Sequence, residues 1–228
     1  LTGNVFAESL EAAGRIQKER GLTFVHPFDD AHIIAGQGTV GLEILNENVD
    51  IDTIVVPIGG GGLASGVATA VKSRRPDIEI IGVETKLYPS MYEGIRGEEY
   101  TGGGVTIAEG IAVKQPGGLT LEICKEKLDD VVLVDESSIE RSIQMLIEIE
   151  KSVVEGAGAA PLAALLDHPE KFKGKKVCLI VSGGNIDTRL LAQVLMRGMA
   201  RQGRLVRVRI EIPDVPGALA TISSLIGE

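Results

Sequence analysis

The chain has 228 residues, of which 44% are hydrophobic and 3% aromatic, and a formal net charge of −9 at pH 7. This composition supports a folded core and excludes wholesale disorder, while the acidic balance and scarce aromatic residues argue against nucleic-acid binding. The apolar runs are too short to span a bilayer, so we expect no membrane insertion. The two widely spaced cysteines, Cys124 and Cys178, are typical of a cytoplasmic protein.

Helices and strands alternate along most of the sequence. Apolar residues at helical spacing predict a helix over residues 5–20, which Gly21 can end, and a second helix over 36–47. Residues 22–25 favour a short strand. Largely β-branched apolar runs without period-two alternation predict buried parallel strands, over 53–58, 78–84, 131–134 and 177–181.

A further helix is predicted after the third of these strands. Ser137 followed by Glu140 has the spacing of a capping box, with Ser137 as the N-cap residue. Ile139, Ile143 and Leu146 then repeat at the spacing of an amphipathic helix. The order of elements predicts an α/β fold, with an open, mostly parallel twisted sheet and helices on both faces.

The C-terminal segment has a different pattern. Residues 206–212 alternate between apolar and charged side chains, as in a half-buried antiparallel strand, and a turn and a helix follow. So short a unit cannot bury its own apolar face. We therefore place a domain boundary near Gly203, with one domain over 1–203 and a truncated second unit over 204–228.

A run of four glycines, Gly59, Gly60, Gly61 and Gly62, joins a predicted strand to a predicted helix that starts at Leu63. Successive backbone N–H groups there could bind an anion together with the helix N-terminus. The alternative is a tight turn that allows close helix–sheet contact. The ligand also stays open at this point, because the spacing fits a dinucleotide as well as a simple phosphate ester.

Ser182 follows the last predicted strand and is itself followed by two glycines. Ligands of parallel sheets bind at the carboxyl edge of the strands, so we expect both glycine turns at the same edge. The hydroxyl of Ser182 could contact a ring nitrogen of a heteroaromatic cofactor without forcing its protonation. The alternative is a plain Ser-Gly-Gly turn.

Five motifs occur in an order that resembles the C-terminal part of the threonine ammonia-lyases (threonine dehydratases), fold type II pyridoxal-phosphate enzymes of the serine/threonine dehydratase family. They are Pro27-Phe28-Asp29-Asp30, Ile34-Ala35-Gly36-Gln37-Gly38-Thr39, Gly59-Gly60-Gly61-Gly62-Leu63, Ala108-Glu109-Gly110-Ile111-Ala112-Val113-Lys114 and Ser182-Gly183-Gly184-Asn185-Ile186-Asp187. Residues 204–228 resemble the start of an ACT regulatory domain.

The resemblance implies deamination of L-threonine, and of L-serine, to 2-oxobutanoate or pyruvate and ammonia, as in isoleucine biosynthesis. It implies pyridoxal 5'-phosphate as cofactor, an amino-acid substrate, an amino-acid effector at the ACT domain, and a homodimer or homotetramer. Residues 1–20 would include the last helix of a small domain. The family's lysine motif Ser-x-Lys-x-Arg-Gly does not occur in the sequence. We therefore expect a fragment that lacks the Schiff-base lysine, holds no catalytic residue and is inactive alone.

The resemblance also implies roles for single residues. Gly59, Gly60, Gly61, Gly62 and Leu63 would bind the cofactor phosphate. Ser182 would lie at the pyridine nitrogen, and Glu155 near the ring, although Glu155 also fits an ordinary helix N-terminal charge. Glu84 matches a position that binds a structural cation in relatives, but Ser90 stands where their aspartate ligand is.

Two alternatives to this function remain at the level of sequence. One is an NAD-dependent Rossmann-type oxidoreductase, since Gly59, Gly61 and Ala64 fit the dinucleotide pattern and Glu84 could bind a ribose. The other is a non-catalytic module that senses an amino acid through its C-terminal segment.

Overall fold

The computed structural model describes residues 6–47 and 50–227. The helices in this part of the chain are α1 (Phe6–Arg20), α2 (Ala31–Asn46), α3 (Gly62–Arg74), α4 (Ser90–Arg96), α5 (Gly118–Lys127), α6 (Glu136–Met145), α7 (Gly156–Asp167), α8 (Pro169–Phe172), α9 (Thr188–Arg201) and α10 (Ala218–Gly227). The strands are β1 (Thr53–Pro57), β2 (Glu79–Thr85), β3 (Asp130–Val134) and β4 (Val177–Leu179). A 3-10 turn spans Glu109–Ile111, and a π-helical turn spans Leu146–Glu150.

The four strands form one parallel sheet in the order β3-β2-β1-β4. Strand β1 is central, so that Val55 lies opposite Ile81 on one side and opposite Leu179 on the other. Because all strands are parallel, their carboxyl ends meet at one edge of the sheet. The predicted sheet is confirmed, with strand bounds that differ by one or two residues.

Both faces of the sheet are covered by helices. Ile54 and Val56 are fully buried in a cluster that includes Val67 of α3, whereas Val55 is buried in a second cluster with Ala160 of α7. Each residue of β1 therefore packs against one helical layer or the other. This explains why Ile54, Val55 and Val56 are all apolar and why the strand lacks period-two alternation.

Helix α6 does not begin where the sequence pattern predicts. Asp135 is its N-cap residue and Glu136 its first residue, while Ser137 is exposed. Glu140 makes ion pairs with Arg197 and Arg201 of α9. The predicted capping box is wrong, because pairing with two guanidinium groups draws the Glu140 carboxylate away from its own helix N-terminus.

Two predicted strands do not form within the described residues. Residues 22–25 and 206–212 adopt no regular element, and no described segment pairs with them. An unpaired strand gains no ladder hydrogen bonds and is unstable in water. Helix α10 follows at the predicted place, with no buried residue in its described part. No described helix is both long and apolar enough to cross a bilayer.

Candidate functional site

A cavity of about 420 Å³ opens at the carboxyl ends of β1 and β4. It is lined by the loop between β1 and α3, by residues 109–113, by the start of α7 and by Ser182 after β4. The structure therefore brings both predicted glycine turns to the same edge of the sheet. A volume of this size is in the range of small-molecule sites.

The loop after β1 presents a series of free backbone donors. Within residues 6–47 and 50–227, the N–H groups of residues 59–63 have no hydrogen-bond acceptor. Helix α3 starts at Gly62, and its positive dipole end adds to these donors. No lysine or arginine of the described chain lines the cavity, so no cationic side chain from this part assists the backbone donors. A phosphate group fits this set of donors.

The glycines of this loop also permit very close packing. A Cβ atom on Gly60 would lie 2.3 Å from the ring of Phe28, and one on Gly61 would lie 2.8 Å from Cβ of Thr120. Gly61 also has a φ of +95°, a backbone conformation that residues with a side chain rarely adopt. The glycine run therefore packs closely against Phe28 and Thr120, and the free donors show that this packing does not exclude anion binding.

Ser182 and Glu155 lie on another wall of the same cavity. The backbone N–H of Glu155 donates to the carbonyl of Gly183 at 3.1 Å. A Cβ on Gly183 would come within 2.2 Å of Oε1 of Glu155, so glycine leaves the space that this carboxylate occupies. Within the described residues, the Glu155 side chain makes no capping hydrogen bond to α7. Glu155 is therefore both the N-cap residue of α7 and a neighbour of the Ser182 loop.

No sequence pattern indicates the residue that holds a third wall of the cavity in place. Glu136 accepts hydrogen bonds from the hydroxyls of Thr85 (2.8 Å) and Thr106 (2.7 Å) and from the N–H of Ile107 (2.8 Å). These contacts fix the segment that leads to Glu109 and Gly110, both of which line the cavity. Phe28 and Gln37 also line it, and the sequence marked them only as parts of longer motifs.

Glu84 lies apart from the residues that line the cavity. It is fully buried, and its carboxylate accepts the N–H groups of Met91 and Tyr92 at 2.8 Å each. Burial raises the pKa of Glu84 to about 8, although these hydrogen bonds act in the opposite direction. The described residues contain no group of three or more His, Cys, Asp or Glu that could hold a metal. A cation at Glu84 stays a prediction.

Known proteins with similar sequences and structures share this architecture. An L-threonine ammonia-lyase of Thermotoga maritima is 46% identical over 230 residues, which cover 100% of this chain and 57% of that protein. A threonine deaminase isoform 2 from Solanum lycopersicum superposes with a TM-score of 0.78 at 35% identity, covering 84% of this chain and 57% of the other. Maize serine racemase superposes with a TM-score of 0.77 at 37% identity, covering 86% and 63%.

This chain thus spans little more than half the length of the curated relative. Residues 1–183 match a family described as pyridoxal-phosphate dependent enzyme. Nothing in these comparisons supports the NAD-dependent alternative. Because the family match covers most of the sequence, the chain belongs to the pyridoxal-phosphate dependent enzymes.

Proposed function

We propose that this chain binds the phosphate and pyridine ends of pyridoxal phosphate in a threonine ammonia-lyase. The whole protein would convert L-threonine, and L-serine, to a 2-oxo acid and ammonia. The observation that carries this proposal is the meeting of the free N–H groups of residues 59–63 with Ser182 in one cavity. The name of the Thermotoga maritima relative, which aligns with the whole chain, supports the reaction.

Different residues of the cavity would contact different parts of pyridoxal phosphate. The N–H groups of residues 59–63 would hold the phosphate, since they are free and lie at the N-terminus of α3. Ser182 would offer a neutral hydroxyl to the pyridine nitrogen and leave it unprotonated. Bound pyridoxal phosphate supplies an electron sink for negative charge at the substrate Cα. Glu155 would lie beside the ring, where its contact with Gly183 keeps it against the Ser182 loop.

Products of the full-length protein test the proposed reaction. Incubation with L-threonine should give 2-oxobutanoate and ammonia, whereas a racemase would give the D-amino acid. Ser182→Asp should change the ratio of elimination to racemisation, because a carboxylate favours the protonated pyridine. Ser137→Asp, at an exposed position on α6, is the matched control and should leave the ratio unchanged. An absence of 2-oxobutanoate from the unmodified protein would refute the proposed function.

We also propose that residues 204–228 begin a regulatory domain for an amino-acid effector. Apolar side chains in this segment are exposed, with Val206 at 74% and Leu219 at 69% of their full accessible area. Such a surface is typical of a unit that packs against further structure. Calorimetric titration of the full-length protein with isoleucine and valine tests this proposal, and no binding of either would count against it.

A further inference from the structure

Helix α5 contacts the glycine loop through one buried threonine. Thr120 is fully buried, and its hydroxyl donates a hydrogen bond of 2.6 Å to the carbonyl oxygen of Gly60. The N–H of Gly117 donates to the same oxygen at a longer distance of 3.3 Å. The Gly60 carbonyl is therefore held on the side of the loop that faces α5.

Asp29 fixes Thr120 in turn. Its carboxylate accepts the N–H of Gly118 at 3.0 Å and the N–H of Thr120 at 3.1 Å, at the first turn of α5. A Cβ on Gly117 would lie 2.2 Å from Oδ1 of Asp29, so this carboxylate sits tightly against the helix start. The chain of contacts runs from Asp29 through Thr120 to Gly60.

The planar peptide bond transmits this contact to the cavity. In a trans peptide the C=O of one residue and the N–H of the next point in opposite directions. When Thr120 holds the Gly60 carbonyl toward α5, the N–H of Gly61 must point away from α5. Glycine on both sides of this peptide makes its rotation easy, so the orientation depends on an external contact.

We propose that Thr120 is a positioning residue for the phosphate site, where its hydroxyl orients the Gly60–Gly61 peptide so that the Gly61 N–H faces the cofactor phosphate. This inference rests on the proposed function, because it assumes that pyridoxal phosphate binds at residues 59–63. The glycines themselves are poor test sites: a Cβ on Gly61 would collide with Met91 and Thr120, and any substitution there would disturb the fold.

The test compares Thr120→Val, which removes the hydroxyl at nearly constant volume, with Thr120→Ser, which keeps it. Equilibrium titrations of the full-length protein use pyridoxal phosphate, pyridoxal (which lacks the phosphate) and inorganic phosphate as a competitor. Thr120→Val should bind pyridoxal phosphate about tenfold more weakly, because the phosphate would lose the hydrogen bond from the Gly61 N–H. Its affinity for pyridoxal should stay unchanged, and Thr120→Ser should bind both ligands like the unmodified protein.

Thr53→Val is the matched control for this comparison. Thr53 is also fully buried, and its hydroxyl donates to Glu79 at 3.0 Å, but it lies at the opposite end of β1 from the cavity. This variant should keep its affinity for both ligands. Thermal denaturation checks that each variant is folded, and if Thr120→Val is unfolded, Thr120→Ala against Thr120→Ser gives the same comparison.

Three results would overturn the inference: unchanged affinity of Thr120→Val for pyridoxal phosphate, an equal loss for pyridoxal, or a loss in Thr120→Ser as large as in Thr120→Val. In each of these cases the unmodified protein still binds pyridoxal phosphate, so the proposed function stands. If the unmodified protein does not bind pyridoxal phosphate, the proposed function fails and this inference fails with it.

Discussion

Glu84 should make the stability of the protein fall as pH rises toward 8. Its side chain is fully buried at the end of β2, and burial raises the pKa from 4.5 to about 8. In the unfolded chain the same carboxyl group ionises near its ordinary value. Between these two pKa values the unfolded state therefore binds fewer protons than the folded state, and the free energy of unfolding decreases with pH.

The size of this effect follows from the two pKa values. Within the window, one proton of difference changes the free energy of unfolding by about 1.4 kcal/mol per pH unit, or roughly 3 kcal/mol between about pH 5.5 and about pH 7.5. Glu84→Gln removes the titration. It also replaces one acceptor of the Met91 and Tyr92 N–H groups, which shifts the stability by an amount that does not depend on pH.

Urea unfolding of the unmodified protein and of Glu84→Gln, measured across this pH range with a chelator present, tests the reasoning. The variant should gain roughly 3 kcal/mol relative to the unmodified protein as pH rises through the window. Parallel curves of unfolding free energy against pH would refute it, because they would mean that folded Glu84 ionises like an exposed carboxyl group.

Two further predictions concern the packing that supports the cavity, and the first compares a tightly packed glycine with an unpacked one. Gly66→Ala should destabilise the protein by about 3 kcal/mol, because its Cβ would lie 2.3 Å from the Ile34 carbonyl oxygen and 2.6 Å from the Gly38 nitrogen. Gly14→Ala in α1, where no described atom lies within 4 Å, should stabilise it by about 0.5 to 1 kcal/mol. Equal effects in urea unfolding would contradict this account of α2–α3 contact. Glu136→Ala leaves three donors without their acceptor and should cost about 2 to 4 kcal/mol. A loss below about 0.5 kcal/mol would mean that these hydrogen bonds do not hold the 106–111 segment.

The parallel sheet could be predicted because its signal is local. Ile54, Val55 and Val56 are consecutive and apolar, and a strand buried on both faces needs no other pattern. The meeting of the two glycine turns followed from topology, since parallel strands place their carboxyl ends at one edge. Both the sheet and the shared edge depend on the order and composition of short segments, which can be read from the sequence without tertiary information.

The contacts that complete the site depend on residues far apart in sequence. Thr120 and Gly60 are 60 positions apart, and nothing in the surroundings of Thr120 indicates that its hydroxyl meets that carbonyl. The sequence pattern misplaces the start of α6 for a similar reason, because Glu140 pairs with Arg197 and Arg201 of α9 instead of its own helix terminus. Side-chain contacts of this kind depend on residues that are distant in sequence, and local sequence patterns do not identify those residues.

The central claim is that the N–H groups of residues 59–63 bind the phosphate of pyridoxal phosphate while Ser182 meets its ring nitrogen. A crystal structure of the full-length protein with pyridoxal phosphate tests this most directly. We expect phosphate oxygens at about 2.7 to 3.2 Å from several of these nitrogens, and the Ser182 hydroxyl at a similar distance from the pyridine nitrogen. A phosphate held elsewhere, or a ring nitrogen that faces another residue, would contradict the account.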